Sequence, residues 1–344
     1  MNRIDTAALA RWMDGAGLAA DSPLEGLRPI SGGTQNVMVR FERGGREFVL
    51  RRGPWYLRPP SNDALRREIR VMAALSTTEV PHPRLIAACE DETVLGGAVG
   101  YLMEPVDGFN PGVELPPLHS ADPAVRHRMG LAMVDALAAL GTFDHVAVGL
   151  AGLGRPRGFL ERQVPRWLRE LDSYAEHRGW PGPGIPGIPA VADWLERNRP
   201  TRWAPGLLHG DYHMANVMFS RTGPQVAAVV DWEMCTVGDP LLDLGWLLAT
   251  WPDEEGRSPL GGTLAGAGGL ATGAELTARC AERTTRDLKA VAWYEVLACF
   301  KLGILLEGTH ARACAGKAPV ETGDRLHTAA LRLFERARLR ITAA

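Results

Sequence analysis

His209-Gly210-Asp211-Tyr212-His213-Met214-Ala215-Asn216, then an apolar stretch, then Val229-Val230-Asp231-Trp232-Glu233: this segment decides the reading of the chain. An aspartate follows a His-Gly pair, an asparagine stands five residues later, and a second aspartate closes an apolar strand. Phosphoryl transfer from ATP needs such a set. One carboxylate accepts the proton of the attacking hydroxyl, while an amide oxygen and a second carboxylate hold magnesium against the phosphates. Gly223-Pro224 marks a hairpin turn between them, which would return Asp231 to the end where Asn216 lies.

Upstream the patterns are those of strands. Val37 to Phe41 and Phe48 to Arg52 are strand-like and meet at Gly44-Gly45, a hairpin signal. Leu65, Ile69, Met72 and Leu75 recur at helical spacing over residues 63–76, and residues 85–89 and 99–103 form a further strand pair. An amphipathic helix over residues 4–19 and a run of turn formers, Ser31 to Asn36, precede them. Residues 104–121 hold four prolines and two glycines and mark the boundary between residues 1–105 and 106–344. Beyond it the chain reads as helical. Val125, Met129, Met133, Leu137 and Leu140 make one stripe, Trp167 to Leu171 another, and Ile188 to Leu195 a third. Leu241 to Trp251 is apolar enough to be buried, residues 252–274 read as a loop without periodicity, and helices over about 285–310 and 321–341 close the chain. The class expected is α+β: a small antiparallel sheet lobe and a larger, mainly helical lobe.

The bulk numbers exclude several functions. The chain has 344 residues, 46% of them apolar and 23% charged, ordinary for a globular enzyme. A net charge of −2 leaves no footprint for nucleic acid. No apolar run reaches the length of a bilayer span, and Asp5 and Asp14 interrupt the N-terminus, so neither a membrane nor a secretory signal is expected. The five cysteines are dispersed, as in a reduced, cytoplasmic protein. Lysine is rare: only Lys289, Lys301 and Lys317 occur.

His209-Gly210-Asp211 with Asn216, Asp231-Trp232-Glu233 and Gly238-Asp239-Pro240-Leu241-Leu242-Asp243 resembles the aminoglycoside phosphotransferase family of small-molecule kinases. The similarity is closest to the branch fused to acyl-CoA dehydrogenases. It runs from about Gly32 to Trp251 and is strongest over residues 207–246. The resemblance implies a bilobal, protein-kinase-like fold and phosphate transfer from ATP or GTP to the hydroxyl of a small acceptor, with Mg2+ as cofactor. It implies Asp211 as catalytic base and Asn216 and Asp231 as metal ligands; Glu233, two residues on, reads equally as a second metal ligand or as a solvated carboxylate. Gly32, Gly33, Thr34 and Asn36 fall in the loop over the phosphates. Met103, Glu104 and Val106 fall at the hinge that meets the base. Glu68 falls where a helix glutamate pairs with the strand cation. That cation is a lysine in most kinases of this fold; here it is Arg51, which keeps the charge and can grip phosphate bidentately.

Other readings of the same residues stay open. His209 reads as a brace for its loop. His209, Asp211 and His213 on one face of a strand could instead serve a metal-dependent hydrolase. The missing lysine leaves room for a catalytically inactive nucleotide-binding protein. Asp239 and Asp243 read as structural, Asp239 as a helix cap and Asp243 as a support for the loop. For the acceptor, residues 251–344 hold eleven acidic against thirteen basic residues, a poor match to a polycationic antibiotic. A hydroxyacyl thioester, anionic at its CoA end, suits that surface better by analogy with the fused relatives. A homodimer is compatible with all of these readings.

Overall fold

The computed structural model describes residues 4–30, 36–142 and 144–344. Gly32, Gly33 and Thr34 lie outside the described residues. In chain order the elements are α1 (Thr6–Gly15), β1 (Glu25–Pro29), β2 (Val37–Arg43), β3 (Arg46–Arg52), α2 (Ser61–Leu75), β4 (Leu85–Cys89) and β5 (Gly100–Met103). There follow α3 (Pro117–Ala121), α4 (Pro123–Thr142), α5 (Gln163–Ser173), α6 (Ile188–Arg197), β6 (Gly206–Leu208), β7 (Val217–Phe219), β8 (Val226–Val229) and β9 (Thr236–Gly238). The chain ends with α7 (Leu241–Thr250), α8 (Thr263–Ala267), α9 (Gly273–Arg283), α10 (Val291–Cys314) and α11 (Val320–Ala343).

The first lobe is a five-stranded antiparallel sheet in the order β1-β2-β3-β5-β4. Gly44 and Gly45 both take positive φ (57° and 73°), which the two-residue turn between β2 and β3 requires. Alternation along β3 then sorts its side chains. Phe48 and Leu50 pack with Leu9 and Met13 of α1, while Arg51 faces α2 beside its cross-strand partner Tyr101. Strand β1 carries no apolar alternation, since all five of its residues are exposed, and so left no trace in the pattern.

The second lobe is helical. All ten residues of α7 are buried, and α10 and α11 pack around it through Trp246, Phe300, Leu333 and Phe334. The lobe also holds two short antiparallel strand pairs, β6 with β9 and, between them in the chain, the β7–β8 hairpin. The segment expected as an unstructured loop, residues 252–274, is instead anchored. It contains α8, buries Leu264 and Ala271, and leads into α9 through a Thr272/Glu275 capping box. Small residues pack there without long apolar side chains to set a period. Among the described residues no helix is long and apolar enough to cross a membrane.

Candidate active site

The two strand pairs bring the quoted segment together. Asn216 lies just before β7 and Asp231 two residues beyond β8, and Val217 pairs with Val229. Val230 is held from both sides: its N–H donates to the Asn216 carbonyl at 2.9 Å, and its carbonyl accepts from His209 Nε2 at 2.9 Å. The main chain of Asp231 is therefore tied to both neighbouring loops. Asp231 itself is left-handed (φ 65°), a conformation that aspartate tolerates better than most residues but that still costs about 1–3 kcal/mol.

Asn216 turns its amide to Asp211, donating to the main-chain carbonyl at 2.9 Å and to Oδ2 at 2.8 Å. Its own side-chain oxygen is thereby aimed away from Asp211. His213 Nδ1 accepts from the Ala215 N–H, so the ring proton sits on Nε2, 3.4 Å from Asp211 Oδ1. The Asp211 side chain is a quarter exposed. Burial pushes its pKa up, but His213, then His209 and Lys301, outweigh that and hold the carboxyl well below the usual range. Asp211 is thus ionised at neutral pH and points one face to the cleft.

His209 is committed to structure. Nε2 donates to Val230 and Nδ1 accepts from the Asp211 N–H at 3.3 Å, so neither nitrogen remains for a metal. The arrangement does not support a His209-Asp211-His213 metal triad. Asp243, fully buried, accepts from the main-chain N–H groups of His209 (2.6 Å) and Gly210 (2.8 Å) and so supports the loop. Gly210 is required between them: its φ is +88°, and a Cβ would lie 2.5 Å from the Met234 carbonyl. Asp239, expected as a cap, does accept from the Leu241 N–H at 3.1 Å and also from the Tyr294 hydroxyl.

From the sheet lobe comes Arg51. Its Nε donates to Glu68 Oε2 at 3.0 Å and its Nη2 to Asp231 Oδ1 at 2.9 Å, so one guanidinium joins the two lobes. Glu233 Oε2 stands 3.8 Å from the same Nη2 and accepts weakly from Asn36 Nδ2 at 3.5 Å. Burial, then the neighbouring Asp231, pushes the Glu233 carboxyl up to about 7. Burial also raises Glu68, with Arg51 opposing. Asn216, Asp231 and Glu233 offer a set of oxygen donors, which suits magnesium better than a softer metal.

A groove of about 700 Å³ opens apart from this cluster. It is lined by Arg40 and Glu47 of the sheet, by residues 104–108, of which Glu104 and Val106 are expected at the hinge, and by Arg221 of the β7–β8 turn. Met103 ends β5 beside it, and the Glu104 N–H donates to the Arg84 carbonyl. None of the Asp211 cluster lines this groove. Glu47 and Arg51 are four residues apart on β3, so the hinge end and the carboxylate end are separated by about 13 Å. A nucleoside triphosphate laid between them would put its base at the hinge and its phosphates at Arg51.

Two contributors were not legible in the motif. Arg67 of α2 donates to the Leu153 and Cys235 carbonyls at 3.2 Å each, tying the Glu68 helix to the other lobe. Lys301 of α10 is buried, its Nζ 3.4 Å from the Gly210 carbonyl and over the rings of Trp246 (4.6 Å) and Trp167 (5.5 Å). Its only signal in the sequence is a lone lysine inside an apolar helix. Burial lowers its pKa from 10.5 to about 8, against the pull of Asp211 and Asp243 and with Arg166 adding to the fall. Between those two values the folded chain holds fewer protons than the unfolded one, so this residue makes stability rise with pH from about 8 to about 10.5. The shift corresponds to about 3 kcal/mol. Lys301→Met, of similar length, is expected to lack that rise; melting temperatures of both proteins across the alkaline range measure it. Parallel curves for the two proteins would contradict the assignment.

A family model described as "Phosphotransferase enzyme family" matches residues 26–282. Acyl-CoA dehydrogenase family member 11 of Gallus gallus is 30% identical over 305 residues, which cover 86% of this chain and 38% of that protein. The chain therefore spans less than two fifths of that relative's length. A crystal structure from Ralstonia eutropha, provisionally classed as an aminoglycoside phosphotransferase, has a TM-score of 0.79 and 30% identity, over 98% of this chain and 99% of that one. The GDP complex of an aminoglycoside 2′-phosphotransferase, 17% identical, has a TM-score of 0.61 over 97% of this chain and 98% of that one, and shares the fold.

Proposed function

The chain belongs to the phosphotransferase enzyme family, and from that premise we propose that it moves the γ-phosphate of ATP or GTP to a hydroxyl of a hydroxyacyl thioester, with Asp211 as base. Small-molecule phosphotransfer is the family's activity, and the fold is protein-kinase-like. The observation that carries the site assignment is Arg51, which joins Glu68 of the sheet lobe to Asp231 of the helical lobe beside the Asp211–Asn216 pair.

In this reading the acceptor hydroxyl donates a hydrogen bond to Asp211. Its oxygen attacks the γ-phosphorus, the bond to the bridging oxygen breaks, and the hydroxyl proton passes to Asp211. Asn216 and His213 hold the carboxylate in one orientation and keep it ionised. The low pKa of Asp211 makes it a weak base, in keeping with a transition state in which positioning and charge neutralisation supply most of the rate. Asn216, Asp231 and Glu233 would hold a divalent cation, which when bound neutralises charge on the phosphates. Arg51 would turn from Asp231 to the phosphates when nucleotide enters, with Glu68 keeping the guanidinium in place.

Arg51→Lys has a single nitrogen for work now done by two. It is expected to raise KM for the nucleotide about tenfold, the loss of one charge-assisted hydrogen bond, with a smaller effect on kcat. An unchanged KM in steady-state kinetics would remove Arg51 from nucleotide binding.

Two features support the thioester as acceptor: the relative bearing an acyl-CoA dehydrogenase name, and the slight basic excess of residues 251–344. The GDP bound by a protein of the same fold keeps GTP beside ATP as donor. The test is nucleotide consumption with hydroxyacyl-CoA and aminoglycoside panels, each with Mg-ATP and Mg-GTP. Turnover on aminoglycosides alone, or on neither panel, sinks the thioester assignment.

A further inference from the structure

We infer that the edge of the helical lobe away from the Asp211 cluster carries a transition-metal site of the zinc class. Its donors are Glu307 and His310 of α10 and His327 of α11. Among the described residues, Glu307, His310 and His327 each offer a ligand atom within 4.8 Å of the others. Positions 307 and 310 are three residues apart, so they share one face of α10, and α11 brings His327 against it. Tetrahedral zinc ligands at about 2.1 Å from the ion sit about 3.4 Å apart, so small side-chain rotations close the gap.

The second layer of contacts is that of a ligand set. Glu307 is fully buried, its Oε1 accepting from Trp180 Nε1 at 2.8 Å and its Oε2 lying 2.6 Å from His327 Nδ1. The indole fixes the carboxylate in the way outer-shell donors fix metal ligands. The His310 and His327 rings stack at 4.6 Å. Cys314 Sγ lies 3.7 Å from His310 Nε2. His310 Nδ1 is buried without a hydrogen bond, Asp324 Oδ1 being 3.7 Å away.

An ion pair between protonated His327 and Glu307 accounts for one of these contacts. It leaves the second imidazole and its unpartnered nitrogen without a role. Two imidazole nitrogens with one carboxylate oxygen prefer a borderline ion such as Zn2+ over Mg2+, unlike the oxygen donors of the Asp211 cluster. A metal here would clamp α10 to α11 and to the segment bearing Trp180. It would do so six residues from Lys301, about 9 Å along the helix that supports the Gly210 carbonyl.

The test uses the full chain without a histidine tag, stripped with a chelator and titrated with zinc and with cobalt(II). Expected are uptake of a single equivalent of zinc and a rise in melting temperature, because a ligand bound only by the folded state stabilises it. Cobalt should give tetrahedral d–d bands. His310→Ala, at a half-buried position, should weaken zinc binding by at least about tenfold while Mg-nucleotide binding persists. Asp231→Asn should leave zinc binding intact. Failure to take up zinc, or uptake that survives His310→Ala, would overturn the inference and leave a Glu307–His327 ion pair.

Discussion

Asp211→Asn is expected to lower kcat by about 10²–10⁴-fold, the range a positioned general base contributes, with nucleotide affinity nearly unchanged. The substitution keeps the shape of the side chain. Asn216 still has the Asp211 main-chain carbonyl at 2.9 Å, so the loop retains one of its two bonds. What is lost is the charge to which the hydroxyl proton passes, together with the Oδ2 acceptor that faces the Asn216 amide. The folded pKa of Asp211 lies below its unfolded value, so its ionisation stabilises the fold above the unfolded pKa, and that contribution disappears as pH falls through the folded value. The variant therefore gives up some stability at neutral pH, and its melting temperature must be measured beside its kinetics. Turnover within tenfold of wild type by a folded variant would assign the base elsewhere.

Asp231→Asn is expected to cost about 10³-fold in turnover and to raise the concentration of Mg2+ needed for half-maximal rate, since a cation on the phosphates is worth several kcal/mol of charge stabilisation. The effect should fall on the metal dependence because Arg51 keeps its other partner, Glu68, and so stays in the cleft. Removing the carboxylate also relieves Glu233, whose raised pKa owes part of its shift to Asp231. A variant that turned over normally at ordinary magnesium concentrations would show that the cation is held by other groups. Together the two variants separate proton transfer from metal binding: one changes kcat alone, the other changes the response to magnesium.

The local chemistry was legible because it is local. Asp211, Asn216 and Asp231 fall within one stretch of chain, and the Gly223-Pro224 turn sets the register that brings the last two together. Strand alternation was enough to separate Arg51 from Arg52, whose guanidinium goes to the Trp55 ring. Glu68, flanked by Arg66, Arg67 and Arg70, could have been read as a solvated helix face; only the packing of α2 under the sheet makes it a buried carboxylate. His213 reads in sequence as a competing metal ligand. The turn it caps fixes its tautomer and makes it a partner of Asp211.

By itself the sequence determined which groups are available: two aspartates and an asparagine at the spacing phosphoryl transfer needs, a strand arginine in place of lysine, and a two-lobed α+β chain. Only the tertiary structure decided which charges meet. Lys301 reaches the Gly210 carbonyl from 91 residues away, and Arg51 reaches Asp231 across 180. The physical reason is that burial and charge proximity act through space. A carboxylate or ammonium has an ordinary pKa in any extended chain, and acquires its shifted one when folding removes water and brings a counter-charge within a few ångströms.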